Sequence, residues 1–119
     1  MSDTHPTRLY HNPGCSKSRG ALALLRERGI EPEIVAYLDS APGADELRAL
    51  LDLLALPARA LLRSGEDAYA ALGLDDPALD EDALIAAMAA HPQLIERPVF
   101  VHRGRAVIGR PPERVLDLL

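Results

Sequence analysis

Among 119 residues there is one cysteine, no tryptophan, one phenylalanine and one lysine. A single cysteine excludes an internal disulfide and any multi-cysteine zinc site, and makes a reducing cytoplasm the expected compartment. With aromatic residues at 3% of the chain, a core has to be built from Leu, Ala, Val and Ile. No apolar run is long enough to cross a bilayer, and the N-terminal stretch lacks the apolar segment of a signal peptide, so no membrane association is expected. Basic excess is missing as well. The net charge of −5 argues against a general nucleic-acid binder and requires any anion site to be a local cluster in an acidic surface.

What is present is ordinary globular composition, 48% hydrophobic and 26% charged, of a length that makes one domain with its own core. Residues 1–7 are polar. Arg8-Leu9-Tyr10-His11 reads as a short buried strand stopped by the turn residues Asn12-Pro13-Gly14. Residues 16–28 read as a helix with Leu22 and Leu25 one turn apart and Gly29 as its stop. Ile34-Val35-Ala36-Tyr37-Leu38 has strand length and apolar character, which completes a βαβ unit with parallel strands.

The middle of the chain, about residues 43–92, reads as a helical insertion. Leu47, Leu50, Leu51 and Leu54 fall at i, i+3, i+4 and i+7 of an amphipathic helix. A short helix is expected from Pro57 to Arg63, another turn or two over residues 66–72, and a helix over residues 81–90 capped by Asp80. Strand character returns in Pro98-Val99-Phe100-Val101-His102 and Arg105-Ala106-Val107-Ile108-Gly109, joined at Arg103-Gly104 as a hairpin. A last helix opens at Pro111-Pro112-Glu113. The order is βαβ, helices, ββα.

The lone Cys15 falls where strand hands over to helix, facing free N–H groups and the positive end of the helix dipole, a setting that favours a thiolate. Its neighbours His11, Asn12, Ser16, Lys17, Ser18 and Arg19 are polar or basic, which favours a reactive thiol over a buried structural one. Ser18 stands where a C-x-x-C motif has its resolving thiol, so an adduct on Cys15 has to be released by an outside thiol such as glutathione. His11 is either a cation that lowers the thiol's pKa or a strand-end histidine bonded to backbone. His5, His91 and His102 have no metal-ligand spacing, no metal site is expected, and all three read as surface residues.

Arg63, Arg97 and Arg110 each stand where the chain turns back toward one end of the sheet. An arginine fork suits a tetrahedral oxyanion, although a solvated surface charge is the ordinary fate of any one of them. Pro98 opens a strand and sits either in a cis peptide bond or in an ordinary trans one at a strand edge.

Four motifs, in order, are Tyr10-His11-Asn12-Pro13-x-Cys15-x-x-Ser18-Arg19, Ala60-Leu61-Leu62-Arg63, Glu96-Arg97-Pro98-Val99 and Ile108-Gly109-Arg110-Pro111-Pro112-Glu113. Together they resemble the glutaredoxin-coupled arsenate reductases, in the short bacterial branch with a Cys-Ser-Lys-Ser-Arg motif. The resemblance implies an α/β, thioredoxin-like fold with a four-stranded mixed sheet and a helical insertion between its βαβ and ββα halves. It implies that Cys15 is the nucleophile, that Arg63, Arg97 and Arg110 bind the oxyanion, and that His11 and Ser18 tune the thiolate. It also implies that Asn12 and Pro98 are structural residues near the site, with Pro98 cis and facing the cysteine.

The activity implied is reduction of arsenate to arsenite through a covalent Cys15–arsenate adduct, with glutathione as reducing co-substrate, glutaredoxin as partner and no bound cofactor. Unlike the longer, resistance-associated members, the sequence stops just after the last expected helix. Two alternatives are a general glutathione-dependent thiol-disulfide oxidoreductase and an Spx-type redox regulator of transcription. Three arginines around one thiol favour a small oxyanion over the first, and the missing second thiol disfavours the other.

Overall fold

In a computed structural model, which describes residues 7–119, the first apolar run forms β1 (Arg8–Tyr10), and α1 (Ser16–Glu27) follows the turn. Gly29, at φ 77°, ends the helix region in the left-handed conformation that glycine adopts without a Cβ penalty. β2 (Glu33–Val35) pairs parallel to β1, with Leu9 opposite Ile34. β3 (Val99–His102) pairs antiparallel to β1 on its other side, and β4 (Arg105–Ile108) antiparallel to β3. The sheet order is therefore β2-β1-β3-β4, four strands, mixed, as in a thioredoxin-like fold.

These strands and α1 belong to one compact unit, residues 7–37 with Arg97–Leu119. Its core is Leu9, Ala21, Leu25, Phe100, Val115 and Leu118. α1 turns Ser18, Ala21 and Leu25 inward, so the buried stripe passes through a serine, and Leu22 is only half-buried. Arg103 and Gly104 both have positive φ, 52° and 78°, as a two-residue hairpin turn of the I′ kind requires.

Two elements of this unit differ from the sequence expectation. β2 stops at Val35, short of the strand that the sequence predicts over residues 34–38. The Val35 carbonyl takes the amides of both His11 (3.1 Å) and Tyr37 (3.0 Å), and β1 has by then turned into Asn12-Pro13, so the ladder has no partner to extend along. The C-terminal segment, Pro112–Leu118, is a 3-10 helix. Its three-residue period stacks Val115 directly over Leu118, the two side chains it buries.

The peptide bonds Arg97–Pro98 and Arg110–Pro111 are both cis, the first as the family resemblance implies. The chain comes close to itself at Gly109, whose amide donates to the Pro98 carbonyl at 2.8 Å. A Cβ there would meet Pro98 Cγ at 2.9 Å and Val115 Cγ1 at 3.0 Å. A proline ring and a β-branched side chain yield little, so Gly109→Ala is expected to cost about 1–3 kcal/mol of stability. Urea unfolding measures this, and unchanged stability would show that Pro98 and Val115 have room to move.

The other unit is Leu38–Glu96. It contains α2 (Ala44–Leu54), α3 (Ala58–Leu61), α4 (Asp67–Ala71) and α5 (Glu81–Ala90), then a 3-10 turn at Pro92–Leu94. The four leucines of α2 are buried as their spacing predicts, and Asp80 caps α5 by accepting from the Ala83 amide at 2.8 Å. α3 is shorter than expected because Leu62 leaves the helix for an antiparallel bridge to Ile95. Arg63 consequently lies past that bridge, at the start of the turn its carbonyl closes with the Glu66 amide, not on the last turn of a helix.

Candidate active site

The turn into α1 is built by local hydrogen bonds. Asn12 Oδ1 accepts from the Gly14 amide at 2.9 Å and the Asn12 carbonyl from the Cys15 amide at 3.0 Å, which fixes the residues between them. Cys15 is the N-cap of α1, extended at φ −103° and ψ 124°. Its thiol is part-exposed, is a free cysteine, and makes no capping bond. No acidic residue occupies the first turn, so nothing there neutralises the amides and the positive dipole end beside the sulfur.

Behind the turn runs a buried chain of three groups. The Asn12 amide donates to Ser18 Oγ at 3.0 Å, and Ser18 Oγ lies 2.6 Å from His11 Nδ1. All three are satisfied when the Ser18 hydroxyl donates to Nδ1, which leaves the imidazole proton on Nε2. Ser18 is fully buried and His11 nearly so. Burial, with the positive charges of Arg26 and Arg19, holds the His11 pKa below its ordinary value of 6.5. At neutral pH the ring is therefore uncharged. The His11 ring is bonded through Nδ1 to the Ser18 side chain, while only its amide pairs with backbone, and the imidazolium is the disfavoured form. Arg19 itself ties Nη1 to the Pro13 carbonyl at 2.8 Å. A groove of about 640 Å³ runs along α1 from His11 and Pro13 past Arg19 and Leu22 to Arg26.

A pH effect on stability follows. The unfolded chain protonates His11 near pH 6.5, the native chain only at lower pH. The neutral ring's contribution is complete above about pH 6.5 and is lost as pH falls from there toward the lowered native pKa. In His11→Asn, whose amide oxygen can take over from Nδ1, urea unfolding free energy should fall less between pH 7.5 and 5.5 than in wild type. Equal pH slopes would contradict the assignment.

Strand register brings the C-terminal candidates to the same end of the sheet. Tyr10 pairs with Val99, so Pro98 and Arg97 lie one and two positions on, beside His11 and Asn12. Val99 also pairs with Ile108, which sets Gly109 and Arg110 against Pro98 and Arg97. Arg110 Nη1 donates to the Arg97 carbonyl at 3.3 Å. Thus Cys15, His11, Asn12, Ser18, Arg97, Pro98 and Arg110 share one sheet end. Arg63 belongs to the other unit, where it pairs with Glu66 and Glu96.

The histidines outside the turn differ from one another. His102 is buried, not a surface residue: Thr7 Oγ1 lies 2.9 Å from its Nδ1, and its ring stacks on Phe100 at 5.5 Å between centroids. His91 is half-buried and His5 lies outside the described residues. Among the described residues no group of three His, Cys, Asp or Glu side chains could hold a metal, and no helix is long and apolar enough to cross a membrane. Sequence reading assigned no role to Arg26, Glu66 or Glu96. The signals were there in the i+7 spacing of Arg19 and Arg26, the i+3 spacing of Arg63 and Glu66, and the position of Glu96 next to Arg97.

Comparison with known proteins covers nearly the whole chain. The profile of the ArsC family matches residues 10–118. A protein of Escherichia coli K12 named uncharacterized protein YfgD is 51% identical over 117 residues, 98% of either chain. An arsenate reductase of Neisseria meningitidis serogroup A is 50% identical over 113 residues, 94% of this chain and 97% of its own. The solved arsenate reductase from Vibrio cholerae superposes with a TM-score of 0.94 at 50% identity, covering 97% of this chain and 98% of that one.

Proposed function

This chain belongs to the ArsC family, and from that membership we propose that it reduces arsenate to arsenite with Cys15 as nucleophile and glutathione and glutaredoxin as the source of electrons. The observation that carries the reading is the placement of the lone thiol. It stands at an unneutralised helix N-terminus, at the sheet end from which Arg97 and Arg110 emerge.

Arsenate is a tetrahedral anion, and the head of α1 offers it backbone N–H groups. Arg97, Arg110 and Arg63 are assigned the remaining charge compensation, since planar N–H pairs match two oxygens of such an anion at once. Cys15, as thiolate, attacks the arsenic of dihydrogen arsenate; one As–OH takes the proton of the other and leaves as water, and a sulfur–arsenic bond forms. The arginines hold the charge as it redistributes over the remaining oxygens. The glutathione thiolate then attacks Cys15 Sγ. The sulfur–arsenic bond breaks with its electron pair going to arsenic, which falls from As(V) to As(III), while the two sulfurs become a mixed disulfide.

Ser18 has no thiol to resolve that disulfide, and its hydroxyl is committed to Asn12 and His11. Glutaredoxin therefore takes the glutathione from Cys15 and restores the free thiolate. Asn12, Ser18 and His11 are assigned the task of holding the turn that aims the sulfur.

A coupled assay tests this. With glutathione, glutaredoxin and glutathione reductase, NADPH consumption should depend on added arsenate. Reduction of a glutathionylated peptide with no arsenate-dependent consumption would instead assign a general thiol-disulfide oxidoreductase.

A further inference from the structure

Arg63 and two carboxylates share a backbone clip. The Arg63 amide donates to the Leu94 carbonyl and the Glu96 amide to the Leu61 carbonyl, each at 2.8 Å, on either side of the Leu62–Ile95 bridge. The amide of Glu66, N-cap of α4, donates to the Arg63 carbonyl at 3.3 Å. On this frame Glu66 Oε2 accepts from Arg63 Nη1 at 3.0 Å, and Glu96 Oε1 lies 3.5 Å from Nε.

The three side chains are only 22%, 31% and 22% exposed for Arg63, Glu66 and Glu96. Pairs such as Arg26–Glu31 and Arg114–Asp117 are more than half exposed, the class of ion pair that contributes little. The Arg63 contacts use Nε and Nη1, which leaves Nη2 as donor for an incoming anion. A free arginine loses much rotamer freedom when it grips a ligand, and one already held loses less.

We infer that Glu66 and Glu96 are positioning residues that hold the Arg63 guanidinium ready for the oxyanion. This rests on the reading of Arg63 as an oxyanion ligand. Positioning and bare charge make opposite predictions here: carboxylates beside Arg63 repel any anion it would bind, so if charge alone mattered their removal would tighten binding.

Steady-state arsenate kinetics separate the two. Glu66→Ala and Glu96→Ala should each raise KM for arsenate about three- to tenfold, the scale of ordering one long side chain, with kcat within about twofold. Glu66→Gln and Glu96→Gln keep an oxygen that accepts from the guanidinium and should restore KM to near wild type. Alanine variants with unchanged or lower KM overturn the inference, as do glutamine variants with KM raised as far as alanine raises it. If an alanine variant loses its cooperative unfolding transition, the glutamine variants decide alone, a several-fold change in KM counting against it. Arg63→Ala in the same assay tests the underlying reading. An unchanged KM there rejects Arg63 as a ligand, whereas a raised KM beside unaffected glutamate variants rejects only the positioning role.

Discussion

Cys15→Ser should abolish arsenate-dependent turnover, by at least about a thousandfold as for loss of other catalytic nucleophiles, without destabilising the protein. Two causes act together. A serine hydroxyl at neutral pH is a far weaker nucleophile than a thiolate, with no adjacent base to activate it, since His11 Nδ1 is engaged by Ser18. Serine oxygen also cannot form the mixed disulfide, so the two electrons needed by arsenic have no route. The thiol makes no capping bond at the N-cap of α1, a position where serine is among the preferred residues. Stability should therefore hold or rise, by up to about 1 kcal/mol. Turnover within tenfold of wild type would remove Cys15 from the chemistry, and a lowered Tm would contradict the account of the turn.

The largest effect on stability is expected at Phe100. It is the one phenylalanine of the chain, fully buried in the middle strand pair, and it shares its cluster with Leu9 of β1, Ala21 and Leu25 of α1, and Val115. Phe100→Ala should cost about 3–5 kcal/mol, the lost transfer free energy plus the cavity left under a helix that cannot collapse onto the sheet. Against total stabilities of about 5–15 kcal/mol this is a large share of the whole. Phe100→Leu, which keeps most of the volume, should cost markedly less. Urea unfolding of both variants measures the difference, and a cost below about 1 kcal/mol for the alanine variant would mean that α1 is not held chiefly by this cluster. Since Cys15 is the N-cap of α1, the same packing sets where the sulfur stands.

The element order and the cysteine turn were legible in the sequence because their causes are local. Turn residues Asn12-Pro13-Gly14, the leucine spacing of α2 and the Asp80 cap act within a few residues of themselves, and each did what its chemistry predicts. What was misread depends on partners far along the chain. Val35 ends β2 because β1 turns away, and Leu62 leaves its helix because Ile95 offers a bridge thirty-three positions on. The charge on His11 was illegible for the same reason. Its neutrality comes from burial and from Arg26, fifteen positions along. His102 reads as polar in sequence, yet β3 is covered along its whole length and Thr7 and Phe100 accommodate the ring. Arg97 and Arg110 meet only through the β3–β4 register, and the grip of Glu66 and Glu96 on Arg63 only through the clip at Leu62.

The central claim, that Cys15 takes arsenate as a covalent adduct, is tested most directly by arsenic K-edge absorption on the protein loaded with arsenate before any thiol is added. The account predicts a sulfur in the first shell of arsenic in the wild-type protein and oxygen alone in Cys15→Ser. An all-oxygen shell in the wild-type protein, with arsenate demonstrably bound, would contradict it.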